Sequence, residues 1–277
     1  MEDVRDLIPA NTTLRKRYQV IRRLGQGSFG QVFAGQKVLG ENQHMVAIKL
    51  EKRFRKANGF DDPRRMVIEQ KVLILLRGKP HIPVIYASGK TEQKHPYIVM
   101  SLLGRHLFDL QHEQPNQHLS LHTTIRVSQQ VLCGLQYLHE VGYIHRDMKS
   151  ANTCVGRKDP QNVYIIDFGM CRRFVMPNGQ KRPARKLQPY RGTSRYVTIR
   201  MHEELECGPA DDIQSWFYTI IELHLRNLPW QGIKDQQQIH AMKKRYHNDQ
   251  LGCWYAFSFY HVLAIRVSTE MERHSKL

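Results

Sequence analysis

Apolar positions along the chain come in two rhythms. From Tyr18 to Met100 they form short runs: Tyr18-Gln19-Val20-Ile21, Met45-Val46-Ala47-Ile48 and Tyr97-Ile98-Val99-Met100 each predict a strand. One stretch breaks this pattern. In Arg65 to Leu76, Glu69 is followed by Val72 and Leu73 three and four residues on, which is helical spacing, and Leu73 and Leu76 fall on the same side as Glu69. From Leu121 the period is helical: Ile125, Ser128, Gln129, Leu132, Leu135, Leu138 and His139 mark one long helix. Val163-Tyr164-Ile165-Ile166 returns to a buried strand, and Pro177-Asn178-Gly179 with Pro183 then excludes regular structure. A mostly apolar helix follows over Asp211–Leu223, begun by two carboxylates that suit its N-terminus and ended by Leu228-Pro229-Trp230. Ile239 to Tyr246 predicts a further helix with a basic side.

A chain of 277 residues can bury a sizeable core as one large domain or two lobes. Its 42 Lys plus Arg against 25 Asp plus Glu give a formal charge of +17, which favours anionic partners or substrates. No basic repeat or aromatic nucleic-acid signature accompanies that charge, which argues against nucleic acid as the main partner. The five cysteines, at 133, 154, 171, 207 and 253, lack Cys-x-x-Cys spacing and suggest neither a zinc site nor a disulfide framework. Met1 to Ala10 has early acidic residues and no apolar run, so a secretory signal is not expected, and no segment reaches the length of a membrane span. A reducing intracellular compartment, cytoplasmic or nuclear, is the expectation.

Candidate chemistry concentrates between Tyr143 and Gly169. His145-Arg146-Asp147 is followed by Lys149, Asn152 and, after the strand, Asp167-Phe168-Gly169. Asp147 can accept a hydroxyl proton, Lys149 can neutralise a transferring phosphoryl group, and Asn152 with Asp167 offers the oxygen ligands that Mg²⁺ prefers. Upstream, Gly25, Gly27 and Gly30 form a G-x-G-x-x-G pattern leading into a second strand, not a helix. That arrangement suits a hairpin covering phosphates, with a plain turn as the alternative. Lys49 ends an apolar strand; alone it reads as a surface lysine, but with Glu69 on the inner side of its helix it gains a partner beside phosphates. Ser101-Leu102-Leu103-Gly104 reads as a connector whose backbone can face an adenine edge, or as a strand simply ending at Gly104. Thr193 is placed to hydrogen-bond back toward Asp147 and Lys149.

Together these motifs resemble the eukaryotic protein kinase family over roughly residues 18 to 248. Leu102-Leu103-Gly104-Arg105, Arg191-Gly192-Thr193-Ser194-Arg195-Tyr196, Asp211-Asp212 and Leu228-Pro229-Trp230-Gln231-Gly232-Ile233-Lys234-Asp235 are similar to the casein kinase 1 group, especially its tau-tubulin kinase branch. The resemblance implies an α+β, bilobal fold with ATP between a small β-rich N-lobe carrying one main helix and a larger helical C-lobe. The expected divisions are a lead over 1–17 and a kinase domain over 18–250, with N-lobe to about 100, hinge over 101–104 and C-lobe from about 105. An atypical segment, divergent or truncated, covers 251–277.

The resemblance further implies serine/threonine phosphotransfer with ATP and Mg²⁺ as cofactors. Asp147 would be the base, Lys149 a γ-phosphate contact, Lys49 paired with Glu69 a phosphate ligand, and Asn152 with Asp167 the metal ligands. ATP would meet Gly25, Gly27, Gly30, Val32, Ala47, Lys49, Met100, Ser101, Leu103, Cys154 and Ile166. Arg195 and Lys234 would receive an acidic or phosphorylated part of a protein substrate, although Arg195 could instead brace its own loop. Two departures stand out. Thr198-Ile199-Arg200 replaces the group's Ser-Ile-Asn, and Cys154 replaces the large apolar residue often found under adenine. A kinase-shaped module that only binds an acidic partner is the alternative reading.

Overall fold

The structure is a computed structural model that describes residues 5–27, 30–40, 43–52, 65–185 and 190–248. The segment 251–277 and residues Ser28 and Phe29 of the glycine-rich turn lie outside the described residues. The chain divides into two compact units. The first takes Met1–Gly104 with Val155–Cys171, and the second takes Arg105–Cys154 with Arg172–Leu277.

The first unit is built on an antiparallel six-stranded sheet of β1 (Thr13–Leu14), β2 (Tyr18–Gly27), β3 (Gly30–Lys37), β4 (Met45–Glu51), β5 (Ile85–Lys90) and β6 (Pro96–Ser101), in the order β1-β2-β3-β4-β6-β5. The pairing Phe33↔Ile48↔Val99 sets one face, and Val46, Ile48 and Leu50 bury that face with Tyr18, Val20 and Tyr97. Val32↔Lys49 and Ala47↔Met100 are paired one residue out of phase, so those four residues share the opposite face. Strand β5 has no counterpart among the predicted elements, because Ile85-Tyr86-Ala87-Ser88-Gly89-Lys90 lacks clean alternation and only Ile85 in it is buried.

The lead packs on the sheet: Thr13 and Leu14 pair with Gln19 and Tyr18, and Ile8 and Leu14 are buried in the sheet's core. Burying two such side chains is worth about 1.5–3 kcal/mol each, reason enough to hold the segment down. Val155–Cys171, expected in the C-lobe, belongs to the first unit. It is held there by Ile165 N–H donating to His81 O at 2.9 Å and by His81 Nδ1 lying 2.8 Å from Val163 O.

Helix α1 (Arg65–Leu75) completes this unit, with Met66, Glu69, Val72 and Leu73 turned inward as the spacing predicts. The second unit is mainly helical: α2 (Leu107–His112), α3 (Leu121–Glu140), α4 (Ile199–His202), α5 (Pro209–Leu225) and α6 (Gln236–Asn248). Ser120 caps α3 by accepting from Thr123 N–H at 3.2 Å. Pro209 opens α5, where Asp211 accepts from Gly208 N–H at 2.8 Å. One apolar cluster joins Tyr196, Tyr218, Leu228, Trp230 and Ile239, and another joins Ile144, Val197, Met201 and Cys207. The aperiodic stretch after Asp167 thus anchors itself to both α5 and α6 through Tyr196 and Val197.

Candidate active site

The glycines of the β2–β3 hairpin are not equivalent. A Cβ on Gly30 would stand 1.9 Å from Leu50 O, so β4 itself demands glycine there. A Cβ on Gly25 or Gly27 would meet no described atom within 4 Å. The hairpin is also fastened from outside: Gln31, fully buried, accepts from Leu7 N–H at 2.6 Å and donates to Arg5 O at 3.0 Å and Gln26 Oε1 at 3.1 Å.

Lys49 Nζ donates to Glu69 Oε1 and Oε2 at 2.9 and 2.7 Å and to Asp167 Oδ1 at 2.7 Å. The side chain of Glu69 is 2% exposed, that of Lys49 23% and that of Asp167 42%. Burial alone would lower the pKa of Lys49, but the carboxylates of Asp167 and Glu69 more than offset it and hold the ammonium charged. Glu69 is pushed upward by burial, against the pull of Lys49. Asp167 is strained: its φ and ψ of 64° lie in the left-handed region, unusual for a residue other than glycine. A Cβ on Gly169 would lie 3.4 Å from Asp167 Oδ1 and 3.6 Å from Glu69 Oε2, so the residue after Phe168 abuts the same ion cluster.

In the second unit, Asp147, Lys149 and Asn152 converge on one short loop. Lys149 Nζ donates to Asp147 Oδ2 at 2.8 Å and to Thr193 Oγ1 at 2.9 Å, and Thr193 Oγ1 lies 3.3 Å from Asp147 Oδ1. Asn152 Nδ2 donates to Asp147 O at 2.8 Å and Oδ2 at 2.9 Å. With its nitrogen so committed, Asn152 keeps its amide oxygen as a hard ligand. The loop is shaped by Asp212, whose oxygens accept from His145 N–H at 2.7 Å and Arg146 N–H at 2.8 Å, with His139 Nε2 at 2.9 Å. Arg146, like Asp167, has a positive φ, 69°. Asp211 and Asp212 both lie in the first turn of α5, as expected; Asp212 in addition serves a loop 66 residues upstream, while Asp211 takes the Gly208 N–H and also accepts from Thr198 Oγ1 at 2.6 Å.

Arg195 Nη1 donates to Glu222 Oε1 at 2.7 Å, and Tyr196 OH bonds the other oxygen of Glu222. The guanidinium therefore braces its own loop, while Lys234 is exposed. Cys154 is buried with Sγ 3.3 Å from His106 Nδ1, and burial, with Asp109 adding, pushes its thiol up to about 12. Val32, Ala47, Lys49 and Met100 share a sheet face; Ser101 ends β6, its Oγ accepting from Val84 N–H at 3.0 Å, and Leu103 and Ile166 are half-buried in the same unit. Sequence reasoning missed Asp212 as loop anchor, Glu222 and Gln31. A polar residue inside an apolar helix and two carboxylates where one cap suffices were the available signals for the first two.

Comparison with known proteins shows the family of the chain. Residues 18–266 match the protein kinase domain family. The chain is 36% identical over 246 residues to a probable serine/threonine-protein kinase of Dictyostelium discoideum, covering 87% of this chain and 48% of that protein. It is 38% identical over 230 residues to a putative casein kinase I of Caenorhabditis elegans, covering 82% and 66% respectively. Casein kinase I homolog 2 of Schizosaccharomyces pombe is 33% identical over 231 residues, covering 82% and 51%. The chain spans from about half to about two thirds of the length of these curated relatives. On the match over residues 18–266, the chain belongs to the protein kinase family.

Proposed function

We propose that this chain is an ATP-dependent serine/threonine protein kinase, casein kinase I-like and nearest in type to the tau-tubulin kinase branch, acting on acidic or phosphorylated proteins. The observation that carries the reading is the Asp147–Lys149–Thr193–Asn152 network, in which one carboxylate faces a lysine, a hydroxyl and an amide within 2.8–3.3 Å. Asp147 would take the acceptor hydroxyl's proton, and Lys149, already turned toward Asp147 and Thr193, would follow the charge of the transferred group. Lys49, held charged, would grip the phosphates under the open glycines. Asn152 would offer an amide oxygen and Asp167 a carboxylate oxygen, ligand types that suit Mg²⁺, whose part would be to neutralise phosphate charge.

The acidic preference draws on the formal charge of +17 and on Lys234, with Arg195 shared with Glu222. An intracellular place of work, cytoplasmic or nuclear, belongs to the same reading, and Cys133, Cys154, Cys171 and Cys207 are free thiols, as a reducing compartment keeps them. Transfer is favoured over binding alone because Lys49, Asp147 and Asp167 keep the residue types that the chemistry needs. The test is transfer of labelled phosphate to an acidic protein. Asp147→Asn should lower turnover about 10²–10⁴-fold with nucleotide binding kept, and unchanged incorporation would sink the assignment. Mg-ATP should raise the melting temperature of both proteins.

A further inference from the structure

Lys243 lies in the helix predicted to carry a basic side, yet it is 1% exposed. Its Nζ sits 5.3 Å from the ring centroid of Tyr218 and 5.2 Å from that of Trp230. It donates to Ser194 O at 2.7 Å and Val197 O at 2.6 Å, with His202 Nε2 at 3.3 Å. Burying an amine is unfavourable unless its hydrogens are used, and here they are used on the backbone of a distant segment. Burial lowers its pKa to about 7, but the ammonium and the free amine both carry the two hydrogens that two carbonyls require.

One of the two carbonyls between those anchors is held as well. Trp230 Nε1 donates to Arg195 O at 2.8 Å. Thr193 O accepts from Tyr196 N–H at 2.8 Å and Val197 N–H at 3.1 Å, closing the turn on itself. Gly192 enters the turn at φ 107°, and a Cβ there would stand 2.8 Å from Val197 Cγ1. The stretch from Gly192 to Val197 is therefore fixed by side chains from Trp230 and α6, and its Thr193 hydroxyl is the group that meets Asp147 and Lys149.

We propose that Lys243 is a positioning residue for the phosphoryl acceptor: by holding the carbonyls of Ser194 and Val197 it presets the Gly192–Val197 segment beside Asp147 and Lys149. The nature of that acceptor rests on the kinase reading above. Methionine in the same slot would keep the packing between the two rings and lose both donors, which separates positioning from scaffolding.

In the full chain, Lys243→Met should raise the KM for a protein acceptor about tenfold and leave the KM for ATP within about twofold. Trp230→Phe should act in the same sense by about threefold, and Lys243→Arg, which retains donors, should recover most of the loss. Hydrogen exchange at the Tyr196 and Val197 amides should quicken about tenfold in Lys243→Met, with exchange at Asn152 and Thr153 unchanged. An unaltered acceptor KM in folded Lys243→Met, or unaltered exchange at residues 196–197, overturns the proposal. Equal losses toward both substrates, matching a smaller folded fraction, overturn it in favour of a scaffold role. Should the unsubstituted chain transfer no phosphate, the kinase reading falls, and the exchange measurement still decides whether the clamp exists.

Discussion

The cluster around Lys49 and the cluster around Asp147 solve a similar problem by opposite means. Lys49, Glu69 and Asp167 come from a strand, a helix and the turn after a second strand, and little besides charge and packing unites them. Asp147, Lys149 and Asn152 lie within six residues on one loop, and a single carboxylate on α5 accepts the backbone N–H groups that shape it. The first arrangement exists only while α1 is docked. The second is built into local chain geometry and persists as long as α5 does. A protein that needs to be switched can loosen the first without harming the second.

Four substitutions or conditions would break or sharpen that contrast. Asp212→Ala leaves two N–H groups of the loop without acceptors, and should cost about 3–5 kcal/mol of stability by chemical denaturation, a loss at the level of the fold. Glu69→Gln should act on the chemistry more than on the fold, lowering turnover about 10²-fold, because Lys49 Nζ loses one of the two carboxylates that hold it charged. If Glu69→Gln unfolds the protein, or if Asp212→Ala does not weaken it, the contrast is wrong.

A gentler effect is expected from pH. Burial first, with Lys243 and His240 adding, holds His202 down to about 4 against an ordinary value of 6.5. Between those values the unfolded chain binds a proton that the folded chain refuses, so the contribution is complete above pH 6.5 and is lost as pH falls toward 4. Denaturation midpoints measured across that window should drop, and His202→Gln should flatten the slope. The smallest effect belongs to Gln31→Ala, which releases the hairpin from Arg5 and Leu7. It should raise the KM for ATP about fivefold, the equivalent of about 1 kcal/mol, with the acceptor KM unmoved.

What the sequence made legible follows the same divide. That Asp147, Lys149 and Asn152 converge was readable because they lie so near one another in the chain, and the inward facing of Glu69 was readable because helical period gave it. Asp212 was not, since two carboxylates at a helix start look alike until the fold brings His145 near one of them. Lys243 was read as part of a basic side because nothing local announces that two carbonyls 46 and 49 residues upstream will need its hydrogens. Arg195 had two readings, and nothing near it in the chain announces Glu222, which approaches from α5 and gives the bracing one its partner. Polar residues buried to serve distant backbone are invisible to periodicity, which counts apolar positions.

The outer fastening of the glycine hairpin has a practical side. Because Arg5 and Leu7 bond to Gln31, and Asp6 Oδ1 meets Arg23 Nη1 at 2.7 Å, the start of the described chain and the glycine turn form one mechanical piece. A spectroscopic label placed at Arg5, whose tie to Gln31 runs through its backbone carbonyl, would therefore report hairpin motion, and a bulky fusion joined just ahead of it would act as a load on the same lever.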